Sequence, residues 1–192
     1  MAPWHPAPGE DGSVALALIN SRHSTPATGM IDDLPSSREI ADWLRARGLV
    51  VDGGLPLGPI EVIRLHELRN AARCLFVAVA DGSRPWQPAM ELVNELVRAV
   101  PVAPVVEWPV TGPVKVWHAE REGFDAVLAH IARDAVDVIT GPRAPTIRRC
   151  ESPRCVRIFL REHARRVWCS TTCGDRARAD RHYRIQRAGR DG

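Results

Sequence analysis

Four of the five cysteines fall together, as Cys150-x4-Cys155-x13-Cys169-x3-Cys173, and no other feature of the 192-residue chain limits its fold as tightly. Two close pairs with a dozen or more residues between them suit one tetrahedral zinc ion: each pair forms a turn that aims two sulfurs at a common point, and the intervening segment folds back. The ligand must be thiolate, and the metal in turn lowers the thiol pKa. The last 50 or so residues hold so few large apolar side chains that metal binding would itself be folding. Val156, Ile158, Phe159, Val167 and Trp168 could build a small core around the ion, alternating as two short strands would. Three other chemistries use the same residues. Disulfides need an oxidising compartment. An iron–sulfur cluster takes four cysteines, but this is not a standard ferredoxin spacing. A cysteine nucleophile calls for a lone reactive thiol. Zinc is the favoured reading, and with four protein ligands it leaves no open position for catalysis.

Charge changes at the same place. Residues 141–192 carry 14 Arg against five acids, whereas 1–140 carry 12 basic and 18 acidic residues, so the formal net charge of +3 conceals an acidic body and a basic tail. That asymmetry is expected of a polyanion-binding appendage. Gly141-Pro-Arg-Ala-Pro145 reads as a stiff linker, which places a domain border there. After the last cysteine, 174–187 reads as a helix with Arg178, Arg181, Arg184 and Arg187 at successive i, i+3 positions and Arg176 beside them. Ala179, His182 and Tyr183 fill the remaining arc as a narrow packed side. Such a face suits nucleic-acid phosphates or base edges. Arg148, Arg149, Arg154, Arg157, Arg161, Arg165 and Arg166 would widen it.

The body reads as mostly helical. At 45% hydrophobic residues the chain can form a packed core, and no apolar stretch approaches the length that spans a membrane. Residues 1–12 are rich in Pro and Gly, read as a frayed end and show no signal-peptide pattern, so a cytoplasmic setting with reduced thiols is expected. Val14–Asn20 reads as a short helix. Ser36-Ser-Arg-Glu39 has capping-box spacing and opens a helix over 37–47. Apolar residues from Ile60 to Val79 mark a long helix near 59–80, and Pro85 and Pro88 start another with Met90, Val93, Leu96, Val97 and Val100 as its stripe. Val102–Trp108 and Pro113–Trp117 read as a hairpin, and Phe124 to Ile139 as a last body helix. The fold class is mainly α: a multihelical domain over 13–141 with one small hairpin, then a four-cysteine module over 142–192 ending in an Arg-rich helix.

Cys150-x4-Cys155, Phe159, Val167-Trp168-Cys169-Ser170 and Cys173-Gly174-Asp175-Arg176 resemble the CGNR zinc finger. That finger follows a helical domain called ABATE, and Leu18-Ile-Asn20-Ser21, Asp33-Leu34, Trp43-Leu44, Leu68-Arg69 and Leu92-Val93-Asn94 are similar to its landmarks. The resemblance covers roughly 14–188. It implies a treble-clef-like finger with one structural zinc, and a stress-induced transcription regulator that binds double-stranded DNA through the finger. The family's Asn is Asp175 here, at a position where it would cap the final helix.

Other residues carry weaker signals. Asn20, Arg22, Asp33, Arg69 and Asn94 are polar residues in or beside apolar segments; they either line a pocket for a small-molecule effector or satisfy buried hydrogen bonds. Cys74 reads as a buried inert thiol and His130 as exposed; His163 or His182 could replace a cysteine ligand, but four cysteines already complete the site. The Trp residues read as core or hairpin residues, with Trp168 packed over the zinc. Glu162-His163 is the one obvious acid/base pair, too little for an enzyme, so no enzymatic activity is expected. Two functions compete: a DNA-binding regulator whose body senses a ligand or forms a homodimer, and a zinc-stapled interaction or ligand-binding module without specific DNA binding.

Overall fold

The structure, a computed structural model, describes residues 5–25, 29–49 and 56–188. Residues 1–4, the start of the segment expected to fray, and residues 26–28, 50–55 and 189–192 lie outside the described residues. Six helices are present: α1 (Val14–Asn20), α2 (Ser37–Arg45), α3 (Pro59–Asp81), α4 (Gln87–Ala99), α5 (Phe124–Thr140) and α6 (Thr171–Ala188). Three antiparallel strand pairs accompany them: β1 (Arg22–Thr25) with β2 (Gly29–Asp32), β3 (Val102–Glu107) with β4 (Val114–Ala119), and β5 (Ile147–Arg149) with β6 (Ile158–Leu160). The mainly α class holds, and the hairpin expected near 102–117 forms with Val102 opposite Ala119. The β1–β2 hairpin is additional; its strands of four residues are too short for a period-two signal to stand out.

Local chemistry sets the helix ends. Ser36 Oγ accepts from the Arg38 amide at 3.3 Å and bonds the Glu39 carboxylate, so the reciprocal cap closes through side chains. Pro59 occupies the first turn of α3, and the Glu61 carboxylate accepts from the Gly58 amide at 2.8 Å. Gly82, at φ +63°, ends that helix in the left-handed region, where a Cβ would be strained. At α1 the cap is tertiary: Ser13 Oγ accepts from the Leu16 amide while the α5 carboxylate of Asp134 accepts from the Ser13 hydroxyl and the Ala15 amide. Asp134 is therefore engaged, whereas its neighbour His130 is exposed.

α1 is buried from Ala15 to Asn20 and packs against α3 and α5, with α4 closing on both and α2 against α3. Leu16, Leu18, Ile19, Leu65, Leu68, Phe76, Leu128 and Ile131 form the centre of this core. Trp43 packs on its edge, as does the half-buried Cys74. Trp117 lies on the hairpin as expected, on β4, and is exposed, as is Trp108 just past β3; Trp86, just before α4, departs from a core position and is exposed too.

The packing crosses the border that composition suggests at 141. Alternation along β5 and β6 sends Ile147, Ile158 and Leu160 into the body core and Phe159 into a second cluster with Cys150, Cys169, Cys173 and Ala7. Residues 5–12 depart from the frayed end expected of 1–12. Ala7 and Glu10 are buried, Glu10–Gly12 forms a 3-10 turn, and the Leu160 amide donates to the Pro8 carbonyl at 2.8 Å. Pro and Gly spacing had suggested fraying, but Gly9 instead permits close approach: at φ +94°, a Cβ there would lie 2.5 Å from Leu160 Cγ.

His23, 5% exposed on β1, carries a pH prediction. Burial, then the nearby Arg157 cation, hold its pKa at about 4 against 6.5, with Asp32 opposing. The unfolded chain takes up a proton below about pH 6.5 that the folded one refuses until about pH 4, so stability falls as pH drops through that window. The expected loss is on the order of 2–3 kcal/mol. Denaturant titrations across the window should show a smaller loss in His23→Gln; equal losses in the two proteins contradict the assignment.

Candidate metal centre and basic helix

The β5–β6 hairpin and the start of α6 bring the four cysteines together. Cys150 follows β5 and Cys155 precedes β6, in a loop turned by Arg154 at φ +62°. Cys150 donates its amide to the Arg157 carbonyl at 3.0 Å, and Cys155 to that of Ser152 at 3.0 Å. The Cys169 amide donates to Cys150 Sγ at 3.3 Å, tying the second pair to the first. Cys173 lies in the first turn of α6, whose N-terminal dipole favours thiolate.

The four Sγ atoms all lie within 4.8 Å of one another. Cys155 and Cys169 Sγ are 3.8 Å apart, and Cys169 and Cys173 Sγ 3.6 Å apart. Sulfurs about 2.3 Å from a tetrahedral zinc are about 3.8 Å from each other, whereas a disulfide needs about 2 Å. The cluster fits one structural zinc ion and does not fit disulfides. Without a cation the thiols share protons. Hydrogen bonds from Cys150 and then Cys169 lower Cys155 to about 7, and bonds from Cys150, Cys155 and Cys169 favour the Cys173 thiolate. The Cys155 partner raises Cys150, and Cys150 raises Cys169. Zinc, when bound, supplies the positive charge that lets all four ionise.

Residues 12–142 match the ABATE family model, described as "Putative stress-induced transcription regulator", and residues 146–186 match the CGNR zinc finger model. The chain belongs to the ABATE–CGNR family. No curated protein matched it. In this ABATE–CGNR chain the finger is a hairpin followed by a helix, each supplying one cysteine pair, which is treble-clef-like.

α6 starts earlier than expected, at Thr171, with Ser170 Oγ accepting from the Cys173 amide at 3.1 Å. Ser170, not Asp175, is the cap, because Cys173 reaches the zinc only from inside the first turn. The serine ahead of the helix was the available signal. Asp175 instead points outward and pairs with Arg178 at 2.5 Å. Gly174 has a packing reason: a Cβ there would sit 2.9 Å from Trp168 Cε3. Helix propensity alone makes Gly174→Ala stabilising by about 1 kcal/mol. The clash should reverse the sign, costing about 1–2 kcal/mol, readable as a lowered unfolding midpoint of the zinc-loaded protein. A raised midpoint contradicts the contact.

The arginines divide into two groups. Arg178, Arg181, Arg184, Arg187 and Arg165 are exposed. Arg176 and Arg166 turn inward: Arg176 donates to the Pro153 carbonyl at 3.4 Å, and Arg166 to the carbonyls of Trp168 (3.1 Å) and Cys169 (3.3 Å) while pairing with Glu162. These two fasten the zinc loops. Arg178 also lies over the Trp168 ring, and Arg184 pairs with Asp180 at 2.9 Å. Among the described residues no carboxylate pairs with Arg165, Arg181 or Arg187. The narrow packed side is not found, since Ala179, His182 and Tyr183 are exposed with the rest of 181–187. A groove of about 360 Å³ beside α6 is lined by Glu151, Trp168, Asp180, Arg181 and Arg184 among others. His163 and His182 are exposed and stand outside the thiol cluster.

The candidate pocket residues separate. Asn20, fully buried, donates to Ile158 carbonyl at 2.7 Å and to Glu10 at 2.7 Å, and accepts from the Ile158 amide at 2.9 Å. It pairs with β6 as a strand would and clamps the finger to the body. Glu10 also pairs with buried Arg157 at 2.9 Å. Arg69 grips Asp32 with both terminal nitrogens at 2.6 Å and Ser21 at 3.1 Å. Burial opposes ionisation of Asp32 most strongly, yet the Arg69 bonds, the Leu34 amide and the Arg69 charge together outweigh it and lower the carboxyl pKa. Asp33 lies 3.3 Å from His23, and Asn94 is half-buried on α4. Only Arg22 and Arg69 line a common cleft, with Ile19, Met30, Asn70, Arg73 and Val156. Glu10 and Arg73 are not among the residues expected from the sequence, and Arg157, expected to widen the basic footprint, is instead buried against Glu10. Arg73, set between Ala72 and Cys74 in an apolar stretch, carried the same signal as Arg69.

Proposed function

We propose that the chain is a DNA-binding transcription regulator: α6 lies against duplex DNA, and the helical body senses a small ligand or mediates dimerisation. The observation that carries this is an exposed basic helix mounted on a zinc site with no open coordination position. Arg165, Arg181 and Arg187 are free to meet phosphates, and Arg178 and Arg184 can exchange their aspartate partners for them. Asp175 and Asp180 weaken the field of the helix, so the protein should find its site by more than charge alone. The fixed docking of finger on body supports a coupling between what the body binds and how α6 is presented. A zinc held by four thiolates has no place for substrate, which favours a non-enzymatic role. No helix among the described residues is long and apolar enough to cross a membrane, and four reduced thiols on zinc suit a cytoplasmic protein.

Reversing Arg178, Arg181 and Arg184 to Glu together should abolish duplex binding and leave one zinc per chain. Fluorescence anisotropy with a labelled duplex, beside a zinc assay, reads both. Duplex binding that survives in the zinc-loaded triple variant rules out α6 as the contact surface.

A further inference from the structure

The seam between body and finger holds a cleft of about 100 Å³ with three guanidinium groups around it. Arg22 comes from β1, Arg69 and Arg73 from successive turns of α3, and Val156 from the finger. Asn70 adds an amide, Ile19 and Met30 add apolar wall, and among the described residues no acidic one lines the cleft. Asp32 neutralises Arg69 from behind. Arg22 and Arg73 have no carboxylate partner among the described residues.

Arg73 is the unusual member. One terminal nitrogen donates to the finger's Val156 carbonyl. The other, Nη1, is buried without a hydrogen-bond partner among the described residues, as is Nε of Arg69. A buried cationic donor left without a partner is costly, which points to a partner that completes it. Burial first, then the neighbouring Arg149 and Arg22 cations, push the Arg73 pKa below its usual value. An anion in the cleft would relieve the desolvation and the repulsion together.

We infer that this cleft binds a small oxyanion group, a carboxylate or a phosphate monoester, held by Arg22 and Arg73 with Asn70 as hydrogen-bonding partner. The inference rests on the ligand-sensing half of the proposed function and names the site and the ligand chemistry. The volume admits one anionic head group and little more. Planar guanidinium donors match such groups in pairs, and a low-dielectric seam strengthens the attraction. Because Arg73 also holds the carbonyl of Val156, which directly follows Cys155 and precedes β6, occupancy would bear on how firmly the finger is seated.

The test titrates inorganic phosphate and, separately, acetate into the zinc-loaded full-length chain at constant ionic strength set with chloride, reading affinity by calorimetry. Saturable binding of at least one anion is expected. Arg22→Gln, at an exposed position, should weaken it about tenfold, and Arg73→Gln should abolish it. Arg98→Gln, at an exposed position near the end of α4, should leave it unchanged. Phosphate exceeding acetate assigns the phosphate class, and the reverse assigns carboxylates. The inference is overturned if neither anion saturates, or if Arg22→Gln and Arg73→Gln bind as the wild type does. Anion binding is measured without DNA, so loss of duplex affinity in the α6 triple variant and loss of anion binding in the cleft variants are separate results.

Discussion

Stripping zinc from the intact chain should unfold more than the finger. The four thiolates hold the β5–β6 hairpin against α6, and that hairpin places Ile147, Ile158 and Leu160 in the body core. Structural zinc contributes about 10–16 kcal/mol in isolated finger peptides. Much of that is ligand organisation, but a body of ordinary stability, about 5–15 kcal/mol in total, would not absorb the loss of three core side chains unchanged. Cys173→Ser should act as chelation does, since it leaves three ligands and an open position. The expected result is one zinc per wild-type chain, and for the zinc-free protein or the variant a thermal midpoint lowered by 10 °C or more, or loss of the cooperative transition. ΔΔG of 1 kcal/mol shifts the midpoint of a protein this size by about 2–4 °C, so even partial coupling is measurable. An unchanged midpoint in zinc-free protein would mean that body and finger are energetically independent.

The second large effect is expected at Asn20. Its amide makes three hydrogen bonds in a site of zero exposure, two of them to the backbone of Ile158 and one to Glu10. Asn20→Ala strands a buried amide and carbonyl on β6 and removes a neutral donor from the buried Glu10 carboxylate. Burial already raises the pKa of Glu10, with Arg157 and Asn20 among the groups opposing it. Each unmade buried bond costs about 1–3 kcal/mol, giving about 2–5 kcal/mol overall. Denaturant unfolding of the zinc-loaded variant measures it. Replacement of Asn94, half-buried on α4 with no such partners among the described residues, should cost under about 1 kcal/mol. Equal effects at the two asparagines would remove the clamp from the account.

What the sequence could and could not disclose follows from the range of the interactions. The zinc ligands were legible because thiolate chemistry needs those residues at short spacing, and the long body helices because their apolar stripes and caps are local. Ser36, Pro59 and Gly82 mark helix ends within one turn of themselves. The finger's attachment was not legible. Asn20 meets Ile158 and Glu10 meets Arg157 across more than 130 residues of chain, and nothing in either neighbourhood announces the partner. The change in charge and composition near 141 is real in the sequence, yet the core runs through it. Arg positions fell between these cases. The i, i+3 ladder on α6 was readable, whereas the inward turn of Arg166 and Arg176 depends on carbonyls exposed by the zinc loops.

These features describe a basic helix carried by a zinc-stapled finger whose hairpin the body holds through buried polar bonds. The most direct measurement is selection of random duplexes by the zinc-loaded full-length chain at moderate salt, with the affinity of the recovered sequence followed against salt. Three exposed, unpaired arginines and two that can exchange aspartate for phosphate predict an enriched sequence and a log–log salt slope of about −3 to −5, near −0.9 for each phosphate neutralised. No enrichment, or retention that does not respond to salt, would contradict a DNA-binding role for α6.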